Sequence, residues 1–150
     1  MNDHAADPAF IAYSLTASAL ALKLWLLWAA TGAVRAKSKT TPNLEDTTTV
    51  SRGAALATQD PEGVARAMRV YNNAAANELP FLVLGLVYVL LGAPANIAWI
   101  LFGTFVAARV LHAIVYAIGV QPWRTIFFVV GQLAAAGLLV QVVRAALAAV

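Results

Sequence analysis

The chain has 150 residues, of which 61% are hydrophobic and only 11% charged. A soluble domain of this size carries about 45–50% apolar and about 25% charged residues, so most of the sequence belongs to apolar spans. Ten Lys+Arg against seven Asp+Glu give a net charge of +3; the cations sit beside those spans, where a cytoplasmic-face bias accounts for them better than nucleic-acid binding does. Cysteine is absent, which excludes a disulfide scaffold, a thiolate metal site and a cysteine nucleophile. The two histidines, His4 and His112, have no carboxylates at spacings that would complete a zinc site.

Four spans follow one another, each long enough for a hydrocarbon core of about 30 Å. Prolines mark their starts: Asp7-Pro8, Asp60-Pro61, Gly92-Ala-Pro94 and Gln121-Pro122 each place a proline where a first helical turn can begin. The spans are read as Phe10–Val34, Val64–Leu91, Ala95–Gly119 and Trp123–Ala148, in one membrane domain covering residues 1–150. No basic segment precedes Phe10 and no A-x-A pattern follows it, so the first span is expected to be retained rather than cleaved. The stretch from Ala36 to Thr58, within a connection of about residues 35–60, is rich in Thr, Pro, Asn and Gly and shows no convincing period, so it reads as a loop. Small faces at Ala17/Ala21 and along Leu133-Ala-Ala-Ala-Gly137 would allow close helix contact.

Orientation follows from the connections. Arg35, Lys37, Lys39, Arg52, Arg66 and Arg69 gather around the first one, whereas the turn Gly92–Asn96 has no cation and the N-terminus offers only Asp3 and Asp7. Cation-rich loops stay in the cytoplasm. The first and third loops are therefore expected on the cytoplasmic side and both termini outside. Arg144, near the outer end of the fourth span, runs against the bias.

Ionisable side chains inside membrane spans mark candidate sites, because burying them unpaired is costly. In the third span Arg109, His112 and Tyr116 fall within about 60° of one another on the helix. In the second, Arg66, Arg69, Asn73 and Asn77 fall within about 80°. Interhelical hydrogen bonds without a ligand would account for the first stripe. Snorkelling of the arginines and amide contacts between helices would account for the second. Pro80 interrupts the second span and should kink it, freeing the carbonyl of Ala76. Arg124 and Thr125 open the fourth span beside Trp123, an interfacial anchor; a cation at a helix N-terminus is disfavoured by the dipole, and a bound anion would offset that. Lys23, Glu78 and Arg109 lie at similar depths, about 18, 14 and 15 Å along their helices from the basic end. Glu78, the one acid within the spans, is expected to pair with Lys23 or Arg109 as a structural charge. Together Arg35, Arg66, Arg69, Asn73, His112, Tyr116 and Arg124 would form a cationic cluster nearly free of acids, suited to an amphiphilic anion with several carboxylates and open to a hydrophobic co-substrate from the lipid.

These residues resemble the MAPEG family (membrane-associated proteins in eicosanoid and glutathione metabolism). Arg109-Val-Leu-His112-Ala-Ile-Val-Tyr116 is similar to its third-helix R-x-x-H-x-x-x-Y. Gln121-Pro-Trp-Arg124-Thr125 follows at the family's spacing. Arg69-Val-Tyr-Asn72-Asn73 resembles R-x-H-x-N with Tyr71 in place of histidine, and Asn77-Glu78-Leu79-Pro80-Phe81 fits N-x-x-P-F. Lys23 and Asp46 fall where the pattern has a lysine and an aspartate. The likeness covers essentially the whole chain.

The resemblance implies an all-α membrane protein: a left-handed bundle of four transmembrane helices per subunit, assembled as a homotrimer that binds glutathione between neighbouring subunits near the cytoplasmic face. By position Arg69, Asn73, His112, Tyr116 and Arg124 would contact the tripeptide, with Arg35 from the adjacent first helix and Arg109 buried in the same network; Asn73, Asn77 or the carbonyl freed at Pro80 would take the ligand's ammonium group, more weakly than a carboxylate. Arg124 with Thr125 would activate the thiol, a guanidinium stabilising the nucleophilic thiolate; Asp46 would have a supporting role. Two departures stand out. The family's glutamate four residues before the helix-two proline, expected to hold the ligand's amino group, is here Ala76, and Glu78 is rotated from it by about 200°. Phe128 stands where some members have a tyrosine, and Asn72 where the prostaglandin pattern has an arginine, so specialised eicosanoid chemistry is not supported. The expected activity is a membrane glutathione transferase acting on hydrophobic electrophiles or lipid hydroperoxides, without a metal. The rival is a non-catalytic lipid-binding or scaffold protein of the same fold. A transporter finds no inverted repeat. The alanine-rich spans lean toward a bacterial inner membrane.

Overall fold

Asp7 starts the first helix by capping it: its side chain accepts a hydrogen bond from the Ala9 amide at 2.9 Å, and Pro8 takes the first helical position, where its missing N–H has no intrahelical acceptor to lose. In the computed structural model, which describes residues 6–148, this helix (α1) runs Pro8–Ser38. It ends where Lys39 turns into the left-handed region at φ 52° and returns its N–H to Ala36 O. The other helices are α2 (Glu62–Leu90), α3 (Ala95–Ile118) and α4 (Trp123–Ala148). All four are long and apolar enough to cross a membrane, and the protein is a multi-pass membrane bundle. His4 and Asp3 lie outside the described residues.

Against the expected spans, α1 and α2 each begin two residues earlier, α2 and α3 each end one residue earlier, and α4 has the expected bounds. The largest correction is at α1, which continues four residues past Val34, so that Arg35 and Lys37 stand on its last turn, where cations suit the helix dipole. Proline placement holds, with one refinement. Pro8 is the first helical residue, but Pro61 and Pro94 occupy the capping position one residue earlier, and Pro122 precedes the first residue of α4 while its carbonyl accepts from Ile126 N at 3.1 Å. Pro80 lies inside α2, which runs through it as one helix.

The connection read as a loop contains regular structure. Thr40–Thr41 (β1) pairs in parallel with Ala55–Leu56 (β2), and a 3-10 turn covers Glu45–Thr47. Strands of two residues leave no period to detect.

Two layers divide the interior. The half toward the α2–α3 turn is aromatic: Phe81 stacks on Phe105 with centroids 3.6 Å apart, and Phe102 meets Tyr13, Phe81 and Tyr88 edge-on. Gly85 makes room for this, since a Cβ there would lie 3.2 Å from the Tyr13 ring. At the end of α2 the Tyr88 hydroxyl donates to Pro94 O at 2.9 Å, tying α2 to the start of α3. The other half, toward the α1–α2 connection and the α3–α4 turn, is polar.

Candidate functional site

The polar half is organised around Arg109 of α3. Its side chain is buried, as is Glu78 of α2 (1% and 0% exposed). Lys23 of α1 forms an ion pair with Glu78 Oε1 and reaches Arg109 O at 3.4 Å; Arg109 Nε lies 3.8 Å from the same carboxylate oxygen. The expected pairing of Glu78 is thus met by both candidate cations at once. Because Glu78 is committed to this cluster, its carboxylate does not stand in for the acid missing at Ala76.

On its other side Arg109 donates from Nη2 to Asn73 Oδ1 at 2.7 Å and to Asn73 O at 3.2 Å. Asn77 donates from Nδ2 to the same carbonyl at 2.7 Å, so its amide is spent on its own helix. α4 accommodates the arginine by having no side chain at Gly131, where a Cβ would lie 3.1 Å from Arg109 Cδ. One turn earlier on α4 the Phe128 ring lies 5.9 Å from the guanidinium, within reach of a cation–π contact.

From Phe128 the contacts continue outward. His112, also buried, lies 5.8 Å from the Phe128 ring and 5.5 Å edge-on from Tyr116. The Arg124 guanidinium sits over the Tyr116 ring at 4.9 Å. With the Gln121 amide oxygen turned toward Arg124, it accepts from Nε at 3.1 Å and Nη2 at 2.7 Å, while the amide nitrogen donates to Thr125 Oγ1 at 3.2 Å. Asn73, Arg109, His112, Tyr116, Arg124 and Thr125 thereby form one continuous line of contacts across α2, α3 and α4. The sequence singled out all six. It missed Gln121, whose only signal is its place three residues before Arg124 in the α3–α4 turn.

The remaining candidates form separate groups. Arg35 pairs with Asp60 at 2.7 Å. Arg69 pairs with Glu62 at 2.8 Å, and Arg66 approaches the same carboxylate at 3.6 Å. The cationic cluster is therefore not nearly free of acids, as its residue list suggested. Glu62 opens α2, where a carboxylate suits the dipole and lies one turn from Arg66; Asp60 falls at the end of the stretch read as connection, and Glu62 between it and the expected span. Arg66 also lies against the C-terminal turn of α3, where a Cβ on Gly119 (φ 76°) would come within 2.6 Å of its Nη1. Asp46 accepts from Thr41 Oγ1 at 3.2 Å and Asn43 Nδ2 at 3.0 Å, within the connection. No side-chain hydrogen bond or ion pair among the described residues joins these groups to the Asn73–Arg124 line, although Arg69 stands one helical turn before Asn73 on α2. No group of His, Asp or Glu that could hold a metal occurs among the described residues.

Residues 13–144 match the MAPEG family. The chain belongs to it. Among curated members, human prostaglandin E synthase is 32% identical over 137 residues, 91% of this chain and 89% of the relative, and the Macaca fascicularis prostaglandin E synthase gives the same figures. Human microsomal glutathione S-transferase 1 is 34% identical over 128 residues, 83% of each chain. Similarity to two differently named enzymes at nearly equal identity leaves this member's reaction to be argued from its own site.

Proposed function

We propose that the protein is a membrane glutathione transferase that adds the glutathione thiolate to hydrophobic electrophiles, with reduction of lipid hydroperoxides as a second use of the same thiolate. The observation that carries this reading is the placement of Arg124: a guanidinium held by Gln121 and by the face of Tyr116, beside the Thr125 hydroxyl, at the polar end of a bundle whose outer surface is apolar. A fixed cation lowers the pKa of a nearby thiol by favouring its charged form. In the conjugation step the thiolate sulfur forms a bond to the electrophilic carbon, and the leaving group departs with its electron pair.

The tripeptide's carboxylates fall to Arg35 and Arg69, its thiolate to Arg124, and its amide and carbonyl groups to Asn73, His112 and Tyr116. Arg109 and Asn77 act from behind, by fixing Asn73. Asp46 supports the site by ordering the connection beside Arg35. Arg35 and Arg69 make no side-chain hydrogen bond or ion pair with the Asn73–Arg124 line within one chain, their partners being Asp60 and Glu62, and this favours a homotrimer in which the site closes across a subunit boundary. The cation-rich connection faces the cytoplasm of a bacterial inner membrane in this reading, and the electrophile enters from the lipid.

Ala76 favours a second reading, a non-catalytic lipid-binding or scaffold member of the same fold, because no acid remains at that position for the ligand's ammonium group. Glutathione binding to the purified protein in detergent separates the two. The enzyme reading expects saturable binding together with conjugation of an aryl halide, and Ala76→Glu is expected to tighten binding about tenfold, the value of one charge-assisted contact of about 1.4 kcal/mol. No binding at high glutathione concentration would leave the non-catalytic reading.

A further inference from the structure

The Arg109 guanidinium lies between α2 and α4, yet only one of its three nitrogens is hydrogen-bonded. Nη2 donates twice to Asn73, whereas Nε and Nη1, like Glu78 Oε2, are buried with no hydrogen-bond partner among the described residues. Hydrogen bonding therefore fixes the group at one edge alone. What draws the rest of it into place is the Glu78 carboxylate, 3.8 Å from Nε, and what holds that carboxylate is Lys23, whose ammonium also reaches the Arg109 carbonyl at 3.4 Å.

We propose that Lys23 and Glu78 are positioning residues for the ligand site, acting through Arg109 on the side-chain amide of Asn73; this rests on the glutathione reading above. Nη2 engages the Asn73 amide oxygen as an acceptor, which leaves its Nδ2 hydrogens as the free donors and so presents them to a carboxylate or carbonyl. If Arg109 shifts, the amide is free to turn over and offer an acceptor instead. Two cations and one acid buried in a membrane bundle are a poor way to gain stability, since apolar side chains of similar volume generally do as well or better. They are a good way to specify one position for a guanidinium. Removing Glu78 would take away the carboxylate that fixes the Nε edge of Arg109, leaving the guanidinium free to rotate out of its bonds to Asn73.

The test is a double-mutant cycle on glutathione affinity with Glu78→Gln, Asn73→Ala and the combination, in detergent, with thermal unfolding without ligand as the control for folding. Glu78→Gln is expected to weaken glutathione binding about tenfold. In the Asn73→Ala background the same change is expected to weaken it by no more than about twofold, because its target has gone. Where Glu78→Gln does not fold, Lys23→Gln with Glu78→Gln, which removes one charge of each sign, takes its place in the cycle with the same expectation. Equal penalties in the two backgrounds, the signature of a general loss of structure, would overturn the proposal. Undiminished binding in Glu78→Gln would overturn it alone, while absence of binding by the unaltered protein would overturn it together with the glutathione reading.

Discussion

Arg124 occupies the second position of α4, where the helix dipole repels a cation. Part of the compensation is local, through the Gln121 oxygen and the Tyr116 ring, and a bound anion would supply the rest. Glu78 presents the opposite case, a carboxylate surrounded by its compensation. Its pairing was legible in the sequence because three charges stood at one depth in three spans, and a bilayer interior offers such groups no other partner. Gln121 was not legible, since a polar residue before a turn proline has no feature that separates an arginine clamp from an ordinary solvated turn. For stability, Glu78→Gln is expected to cost about 3–5 kcal/mol, because it strands two buried cations. The neutral replacement Lys23→Met with Glu78→Leu is expected to cost less than Glu78→Gln alone, as measured by thermal unfolding in detergent. A smaller loss in Glu78→Gln than in the double variant would contradict the assignment of Glu78 as the charge that compensates the cluster.

At the scale of elements, the one large departure from the expected bounds is the end of α1. A proline declares a start in a single residue, whereas α1 ends four residues beyond the apolar run because Ser38 donates to Arg35 O at 2.7 Å and Lys39 adopts the left-handed turn, choices that hydrophobic patterning does not record. The end of α3 is set by Gly119, whose φ of 76° disfavours any residue with a Cβ; the Arg66 Nη1 that a Cβ would meet ends a flexible side chain and can move aside. Gly119→Ala is therefore expected to lower stability by about 1–2 kcal/mol, the cost of a left-handed conformation in a residue with a side chain. Gly32→Ala serves as the contrast. It lies inside α1, and a Cβ added there would meet nothing within 4 Å, so the change is expected to be neutral or stabilising by up to about 1 kcal/mol through helix propensity. Equal effects at the two positions would argue against the Gly119 turn.

Taken whole, the molecule is polarised along its axis, aromatic at one end and ionic at the other, with Trp25, Leu26 and Trp28 among the large apolar side chains exposed on α1. That architecture was legible because four apolar runs separated by prolines admit few arrangements. The division of the candidate site into two groups was not, because sequence spacing places Arg35 and Arg69 at the same end as Arg124 without saying whether they meet within a chain. The orientation is open to a clean test, since the chain has no cysteine of its own. A single cysteine at Thr48 is expected to react with a membrane-impermeant maleimide only from the cytoplasmic side, and one at Asn96 only from the opposite side; the reverse pattern would invert the topology. The most direct measurement of the central claim is the ultraviolet absorbance of the thiolate when glutathione is added to the purified protein at neutral pH. The unaltered protein is expected to show that absorbance, and Arg124→Ala to lose it while keeping its oligomeric state. A thiolate signal that persists in Arg124→Ala would contradict the role of Arg124, and bound glutathione with no thiolate signal in the unaltered protein would contradict the catalytic reading.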